Sequence, residues 1–377
     1  MIKIYGPYSK ITLEPINLNS HDQVKKYLLS IGWKPTEWNY KKGDDGRIIK
    51  IGGKPVKTSP KITEDSLEGL TGNFVELYRE YCKLSHRRKL IENFDDPENK
   101  GLLSLVRTNG TIAAEGITVG TPTNRYIHKG IVNIPSVDAF LGQEMRSLFG
   151  VPEGWVLIGS DMKGIEARLM AHLSIVFGDP IFAHVLMTVD DIHSWTAREI
   201  GKQITQEITR KAAKGLRYAI SYGAQVDKVA TMLGISRKQA ELIIEAFWNT
   251  QPGLKRAKEA LESALKEKKW IRGLDGRRVY LTATHTLLNY YIQSAAAILF
   301  KRWMVIFNQM IEDAGLTKVV KQIIAYHDEL QIQSCPDVVP SVLTILEESC
   351  LKSGEYYNIQ VPIECDCKVG FTWADTH

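Results

Sequence analysis

The sequence predicts an α+β fold, with antiparallel strands and helices in separate stretches of the chain, on three observations. Apolar runs flank short turn-forming segments at Asn109-Gly110, at Asp275-Gly276 and inside QIIAYHDELQIQ (322–333). Between these turns, residues 163–269 and roughly 286–314 carry apolar side chains at helical rather than strand spacing. A chain of 377 residues, 44% hydrophobic and 24% charged, can bury a substantial core in two or three subdomains.

Residues 1–60 alternate short apolar runs with Gly, Pro and Lys, and give only a weak helical pattern near SHDQVKKYLLSIGW (20–33). From Asp65 to Phe94 apolar residues recur at helical spacing towards a basic end, which predicts one long helix or two short ones. LLSLVRTNGTIAAEGI (102–117) reads as a hairpin around Asn109-Gly110. A Gly- and Pro-rich connection leads to WVLIGSD (155–161), a buried strand ending in Asp161. Helices dominate from Lys163 to Lys269, broken at Gly178-Asp179-Pro180 and at Gly223. GLDGRRVYL (273–281) is a second hairpin, a long apolar helix covers Thr286 to Ala314, and QIIAYHDELQIQ is a third hairpin. VPIECDCKVGFTW (361–373) closes as a strand and turn.

A net charge of +5 permits contact with a polyanion without requiring it. Cys82, Cys335, Cys350, Cys365 and Cys367 form no Cys-x-x-Cys pair, which argues against a zinc site and a disulfide framework and for a reduced, intracellular protein. The N-terminus has no apolar stretch of signal-peptide length, and no run of about 18 apolar residues occurs, so no membrane span is expected.

Two acidic positions stand out. Asp161 ends an apolar strand just before a helix marked by Ile165, Leu169 and Leu173, where capping that helix is one reading. His327, Asp328 and Glu329 crowd a hairpin turn that has neither Gly nor Asn, where a chemically silent polar turn is one reading. If the strands carrying Asp161 and Asp328 are neighbours, their carboxylates converge and repel. A pair of Mg²⁺ ions relieves that repulsion, and a spacing of about 3.5–4 Å clamps both oxygens of a phosphoryl transfer. TRKAAKGLRYAISYGA (209–224) adds a phosphate-binding element: Arg210, Lys214, Tyr218 and Tyr222 recur every four residues, between a Thr209 cap and Gly223. A solvated basic stripe accounts for Arg210 and Lys214 but not for the tyrosines that continue it. Cations followed by flat rings match a triphosphate followed by a base.

DMKGIEAR (161–168), RKAAKGLRYAISYG (210–223) and HDEL (327–330) resemble, in order, motifs A, B and C of family A DNA polymerases, the group of bacterial DNA polymerase I and related phage and mitochondrial replicases. The similarity runs from about Arg125 to the C-terminus and weakens back to about residue 18. It implies a right-hand fold with an antiparallel-sheet palm, helical fingers and a truncated thumb. The expected division is a partial thumb with its leading segment over 1–100, palm over 101–175, fingers over 176–270 and palm again over 271–377. The resemblance implies that Asp161, Asp328 and the Met162 carbonyl hold two Mg²⁺ ions, with Mn²⁺ able to substitute, and that Glu329 supports this catalytic set. Arg210 and Lys214 would meet the incoming triphosphate, with Lys214 the proton donor to pyrophosphate and His193 at the β-phosphate. Tyr218 would stack near sugar and base, Tyr222 would pack at the nascent pair, and Glu166 would fill the space of a ribose 2′-hydroxyl. Arg125, Arg277, Asn289 and Gln293 would contact primer-template, and His327 the primer terminus.

The chain also departs from the family pattern. The stretch from TNR to NIP is two residues short, and Met162-Lys163-Gly164 stands where Tyr-Ser-Gln is common. Tyr218, in place of Phe, implies tolerance of dideoxynucleotides, and WADTH (373–377) resembles a phage-type terminus whose last His lies near the active site. About 120 residues before TNR are too few for an exonuclease-type domain and a full thumb, and Asp96-x-Glu98 is the only Asp-x-Glu pair there, so proofreading is not expected. The expected activity is template-directed extension of a primer 3′ end with dNTPs, as in phage replication in the host cytoplasm, on primer-template DNA and away from membranes. Three alternatives stay open. One is a split polymerase with a separate exonuclease or thumb subunit or a processivity factor. A second is a single-subunit RNA polymerase, against which Glu166 and the His-Asp-Glu order argue. The third is an accessory protein that binds primer-template without chemistry, against which the complete catalytic set argues.

Overall fold

The structure, a computed structural model, describes residues 6, 15–67, 69–92, 101–131, 133–204, 207–281 and 283–377; Phe94, Asp96 and Glu98 lie outside the described residues. The chain forms two compact units, Met1–Ser104 and Leu105–His377. In the first, α1 (His21–Ser30) is capped by Ser20, whose side chain accepts from the Gln23 amide. Strand β1 (Glu37–Tyr40), the short pair β2 (Lys50–Ile51) and β3 (Lys54–Pro55), and β4 (Lys57–Lys61) follow, with β1 antiparallel to β4. The helix α2 (Asn73–Ile91) completes the unit. Val24, Leu28, Trp33, Val75 and Tyr78 form its small core, each contributing about 1.5–3 kcal/mol by leaving water.

The second unit opens with a departure from expectation. The Asn109-Gly110 turn forms, with Gly110 at φ 78° and its amide bonded to the Arg107 carbonyl at 2.9 Å, but its flanks do not pair as strands. Ile112-Ala113-Ala114 offer little cross-strand packing, and such packing is what holds a two-stranded ladder. The hairpin lies one step later, between β5 (Glu115–Ile117) and β6 (Ile127–Lys129). Then come α3 (Gly142–Ser147), β7 (Val156–Met162), α4 (Ile165–Val176), α5 (Ile181–Thr188), α6 (Ile192–Ile204), α7 (Arg210–Ser221), α8 (Val226–Leu233), α9 (Arg237–Asn249) and α10 (Pro252–Lys268). The pair β8 (Ile271–Arg272) and β9 (Arg278–Val279) precedes the 27-residue α11 (Leu287–Asp313). The chain ends with β10 (Val320–Tyr326), β11 (Glu329–Ser334), α12 (Val339–Tyr356) and β12 (Cys365–Gly370). Helix α12 was not expected, although its signals are in the sequence: Pro340 in the first turn, and buried Val342, Leu346, Cys350 and Ser353 at helical spacing.

A four-stranded antiparallel sheet, ordered β10-β11-β7-β12, positions the site. One face packs Ile158, Leu330 and Ile332 against Phe300, Trp303, Phe307 and Leu346 of α11 and α12. The C-terminal tail lies across the other face, so close that a Cβ on Gly159 would stand 2.3 Å from the Thr376 carbonyl oxygen. Coverage on both faces leaves most of β7 (VLIGSDM) buried, and buries β11 (ELQIQS) almost throughout although it alternates polar and apolar side chains. Among the described residues no helix is long and apolar enough to cross a membrane, and the five cysteines are free thiols.

Candidate active site

Strand pairing brings the acidic positions together. Glu329 of β11 lies directly opposite Asp161 of β7, and Asp366 of β12 lies opposite Asp161 on its other side. The Met162 amide donates to the Asp328 carbonyl at 3.2 Å, splicing the hairpin turn to the end of β7. Asp161 caps no helix: α4 starts at Ile165 behind Gly164, which adopts φ 50° and makes no side-chain cap bond. Desolvation, then the charges of Asp328, Glu329 and Asp366, push the Asp161 carboxyl up to about 7, although solvent still reaches the residue. Burial also raises Asp328, with the nearby Arg125 guanidinium opposing the shift. A narrow cleft lined by Arg125, Tyr126, Ile165, Glu166, His327 and Asp328 opens beside them.

Glu329 behaves differently from the two aspartates. Burial alone would raise it, but donors more than offset that and hold its carboxyl below the usual range. Trp373 Nε1 donates to it at 2.6 Å, His377 Nδ1 lies at 2.8 Å, and Gln331 Nε2 donates to the same oxygen as Trp373. Its lone pairs are therefore turned to the tail, as a support, rather than to a ligand. With Asp366 paired to Lys163 at 2.9 Å, the donors that could hold a metal are the Asp161 and Asp328 carboxylates, which the Met162 carbonyl is expected to join. Among the described residues no group of three or more His, Cys, Asp or Glu could hold an ion alone. That set fits Mg²⁺, which binds through one or two carboxylates while keeping water and taking phosphate oxygens from a substrate. Two repelling carboxylates with raised pKa values are what a divalent cation would relieve.

Helix α7 carries the basic and aromatic face. Thr209 caps it, accepting from the Ala212 amide at 3.2 Å, and Gly223 after its end adopts φ 87° where a Cβ would collide with the His285 carbonyl. Lys214 and Tyr218 are exposed on it. The Tyr218 ring lies 6.1 Å from Tyr222 and 6.2 Å from His193, and the Tyr222 hydroxyl donates to the Glu166 carboxylate. The Tyr222–Glu166 bond joins the end of α7 to the cleft at the sheet. Arg210 is not free: its guanidinium pairs with Asp191 at 2.7 Å, and Asp191 also accepts from the amides of His193 and Ser194. Arg277 likewise pairs with Asp275 at 2.6 Å in the β8–β9 turn. Asn289 and Gln293 sit half-buried at the start of α11, with the Asn289 Oδ1 buried and unpartnered.

Several residues here carried no obvious mark in the sequence. Arg217, 2% exposed, lies over the Phe182 ring at 4.8 Å and donates to Thr196 Oγ1 at 2.8 Å; a cation at an apolar position of α7 is its only signal. Arg146 stacks over Trp373 at 4.3 Å behind Glu329. Lys163, part of the unusual Met-Lys-Gly, pairs with Asp366 at 2.9 Å. Asp191, just ahead of α6, could have been read as a cap from its position.

Comparison with known proteins identifies the family and the fold. The sequence model for DNA polymerase family A matches residues 6–375. The chain is similar to the DNA-directed DNA polymerases of Enterobacteria phage T3 and Escherichia phage T7, at 25% identity over 99% of this chain and 54% of each relative. It is similar to the thermostable DNA polymerase I of Thermus filiformis at 28% identity, over 100% of this chain and 44% of the relative. The chain thus spans about half the length of the curated relatives it matches. The fold is like that of the POL domain of Pol1 from M. smegmatis, solved in complex with DNA primer-template and dNTP, with TM-score 0.75 and 24% identity over 96% of this chain and 62% of that one. With its family model matched almost end to end, the chain belongs to DNA polymerase family A.

Proposed function

We propose that this chain extends the 3′ end of a DNA primer along a template, adding dNTPs. The observation that carries the reading is the meeting of Asp161, at the end of β7, with Asp328, in the turn just before the neighbouring β11, beside a cleft tied through Glu166 and Tyr222 to the Lys214–Tyr218 face of α7. The family membership and the DNA-directed DNA polymerases among the relatives support it. In this reading the four-stranded sheet with α4, α11 and α12 is the palm, and α5–α10 are the fingers.

Asp161, Asp328 and the Met162 carbonyl would hold two Mg²⁺ ions. When bound, these supply Lewis acidity at the primer hydroxyl and at the leaving pyrophosphate. Arg125 and His327 border Asp328 in the cleft, where they would orient the primer end. Lys214 would neutralise the triphosphate and pass a proton to the leaving pyrophosphate. Arg210 would join it by exchanging Asp191 for phosphate, leaving Asp191 to the amides of His193 and Ser194. Tyr218 would stack near the sugar and base of the dNTP, with His193 beside it at the phosphates, and Tyr222 would pack at the nascent pair. Glu166, fixed by the Tyr222 hydroxyl, would occupy the place of a 2′-hydroxyl and so favour dNTPs over NTPs. Arg277, Asn289 and Gln293 would grip the duplex, and Glu329 would hold the catalytic turn against the tail.

The test is primer extension with Asp328→Ala. Extension should fall by at least about a thousandfold while primer-template binding, followed by fluorescence anisotropy, stays within about threefold of wild type. Extension at near wild-type rate by Asp328→Ala would overturn the assignment.

A further inference from the structure

The turn that presents Asp328 is held by a residue from another hairpin. His327 and Asp328 form a two-residue loop between paired Tyr326 and Glu329, and His327 takes φ 58°. A left-handed residue at the first loop position is ordinarily Gly, because an L side chain there is strained. The strain persists only where surrounding contacts over-determine the conformation. Here the contact is His128 of β6: its Nε2 accepts the His327 backbone N–H at 3.4 Å, and its ring meets the His327 ring edge-on at 5.2 Å and the Tyr326 ring at 4.8 Å.

His128 is itself anchored to the core helix. It stacks on Tyr126 at 5.9 Å, which packs edge-on against Phe300 of α11 at 6.2 Å. Lys301 of α11 lies over the Tyr126 ring at 5.2 Å, and its ammonium donates to the Asn124 carbonyl at 2.6 Å. Gly116, opposite His128 in the β5–β6 pair, lets the Tyr126 ring come close to the backbone: a Cβ there would stand 2.9 Å from the ring. A continuous path of packed rings thus runs from α11 to the turn. Burial first, then His327 and Arg125, hold the His128 imidazole below its usual pKa, so the ring is neutral and Nε2 keeps its lone pair.

We propose that His128 is a positioning residue for nucleotide transfer: by accepting the His327 N–H and bracing its ring, it fixes the turn in the one conformation that aims Asp328 at the reaction centre. This rests on the polymerase reading above. The role needs an acceptor at the Nε2 position as well as a flat ring, and His supplies both.

The test separates the two requirements and the two readings. Wild-type extension and its loss in Asp328→Ala first establish the polymerase reading. His128→Phe keeps ring packing and removes the acceptor; it should lower kcat about tenfold, leave KM for dNTP and primer-template affinity within about twofold, and keep the thermal midpoint. Mn²⁺ binding to the protein without DNA, read by electron paramagnetic resonance, should weaken severalfold in the same variant. His128→Gln, whose side-chain carbonyl can accept, should recover most of kcat. Unchanged kcat and Mn²⁺ affinity in His128→Phe would overturn the proposal and leave the polymerase reading standing. Equal losses in both variants, matched by a fall in thermal midpoint, would reduce His128 to packing and overturn it as well. Absence of extension in the wild type would remove the polymerase reading; weakened Mn²⁺ binding in His128→Phe would still report the bracing of Asp328.

Discussion

The turns at Asp275-Gly276 and at His327-Asp328 close hairpins in the same unit, and they solve the same geometric problem in opposite ways. In the first, Gly276 takes φ 84°, its amide bonds the Gly273 carbonyl at 2.9 Å, and Gly273 donates to the Arg277 carbonyl at 2.8 Å. Two further turns repeat this three-residue pattern, with Gly46 at φ 74° and Gly110 at φ 78°. All three place the left-handed residue on Gly, where it costs nothing sterically, and nothing beyond the turn need hold it. The fourth turn places His327 at φ 58° with two carboxylates directly after it, and depends on His128, Tyr326 and the Met162 amide. A turn shaped by its own residues is free to be anywhere; a turn shaped by its neighbours is fixed relative to them, which is what a site that must hold Asp328 beside Asp161 requires.

The comparison breaks most sharply at the carboxylates. Asp161→Asn should abolish extension, by at least about a thousandfold, yet stabilise the metal-free protein. The sign follows from the raised pKa. An acid moved from 3.8 to about 7 in the fold contributes stability that is present below 3.8 and lost as pH rises through about 7. Asn keeps the neutral shape at every pH, so its advantage should be largest near pH 8 and vanish near pH 4. Because solvent reaches Asp161, only part of the shift counts, about 1 kcal/mol. Thermal melts of both proteins in chelator at the two pH values measure it, and a destabilised Asn variant at pH 8 would contradict the account of repelling carboxylates.

A smaller effect is expected at the strained residue. His327→Gly relieves about 1–3 kcal/mol of backbone strain but loses the ring contacts to His128 and Tyr326 and loosens the unfolded chain. These offset, so stability should move by less than about 1 kcal/mol while kcat falls about tenfold. If the Gly variant kept full activity, the strain would be incidental and the two kinds of turn would differ in nothing that matters.

The same contrast explains what could be read from the sequence. Asp161, Asp328 and the α7 face could be singled out from local pattern, namely a strand run, a turn lacking Gly and a repeat of four between Thr209 and Gly223, but their expected roles came only from the resemblance of the three motifs. The Asn109-Gly110 turn was legible as a turn but not as a hairpin, since strand pairing is decided by what lies opposite. Of Glu329's partners in the tail, His377 was expected near the active site only through the resemblance of WADTH to a phage-type terminus, and Trp373 was not expected; they are 48 and 44 residues away, and no local pattern near Glu329 announces them. Gly159 looked like any strand glycine, although the tail crosses there too closely for a side chain. His128, a lone histidine in a short strand, acquires meaning only when β6 is placed against the turn.

The smallest effect is expected at Gly276, and it is the control for the whole comparison. A Cβ at this position meets nothing within 4 Å, so Gly276→Ala adds only the cost of a left-handed L residue, about 1 kcal/mol of stability. Denaturant unfolding should show that loss with an unchanged slope, while extension stays within about twofold of wild type. Arg277 gives the prediction its edge, because the same turn orients the Asp275–Arg277 pair and Arg277 is proposed to grip the duplex. If primer-template affinity fell well beyond the loss of stability, this turn too would be serving the site. A difference that now separates a structural turn from a functional one would then separate only two ways of holding DNA.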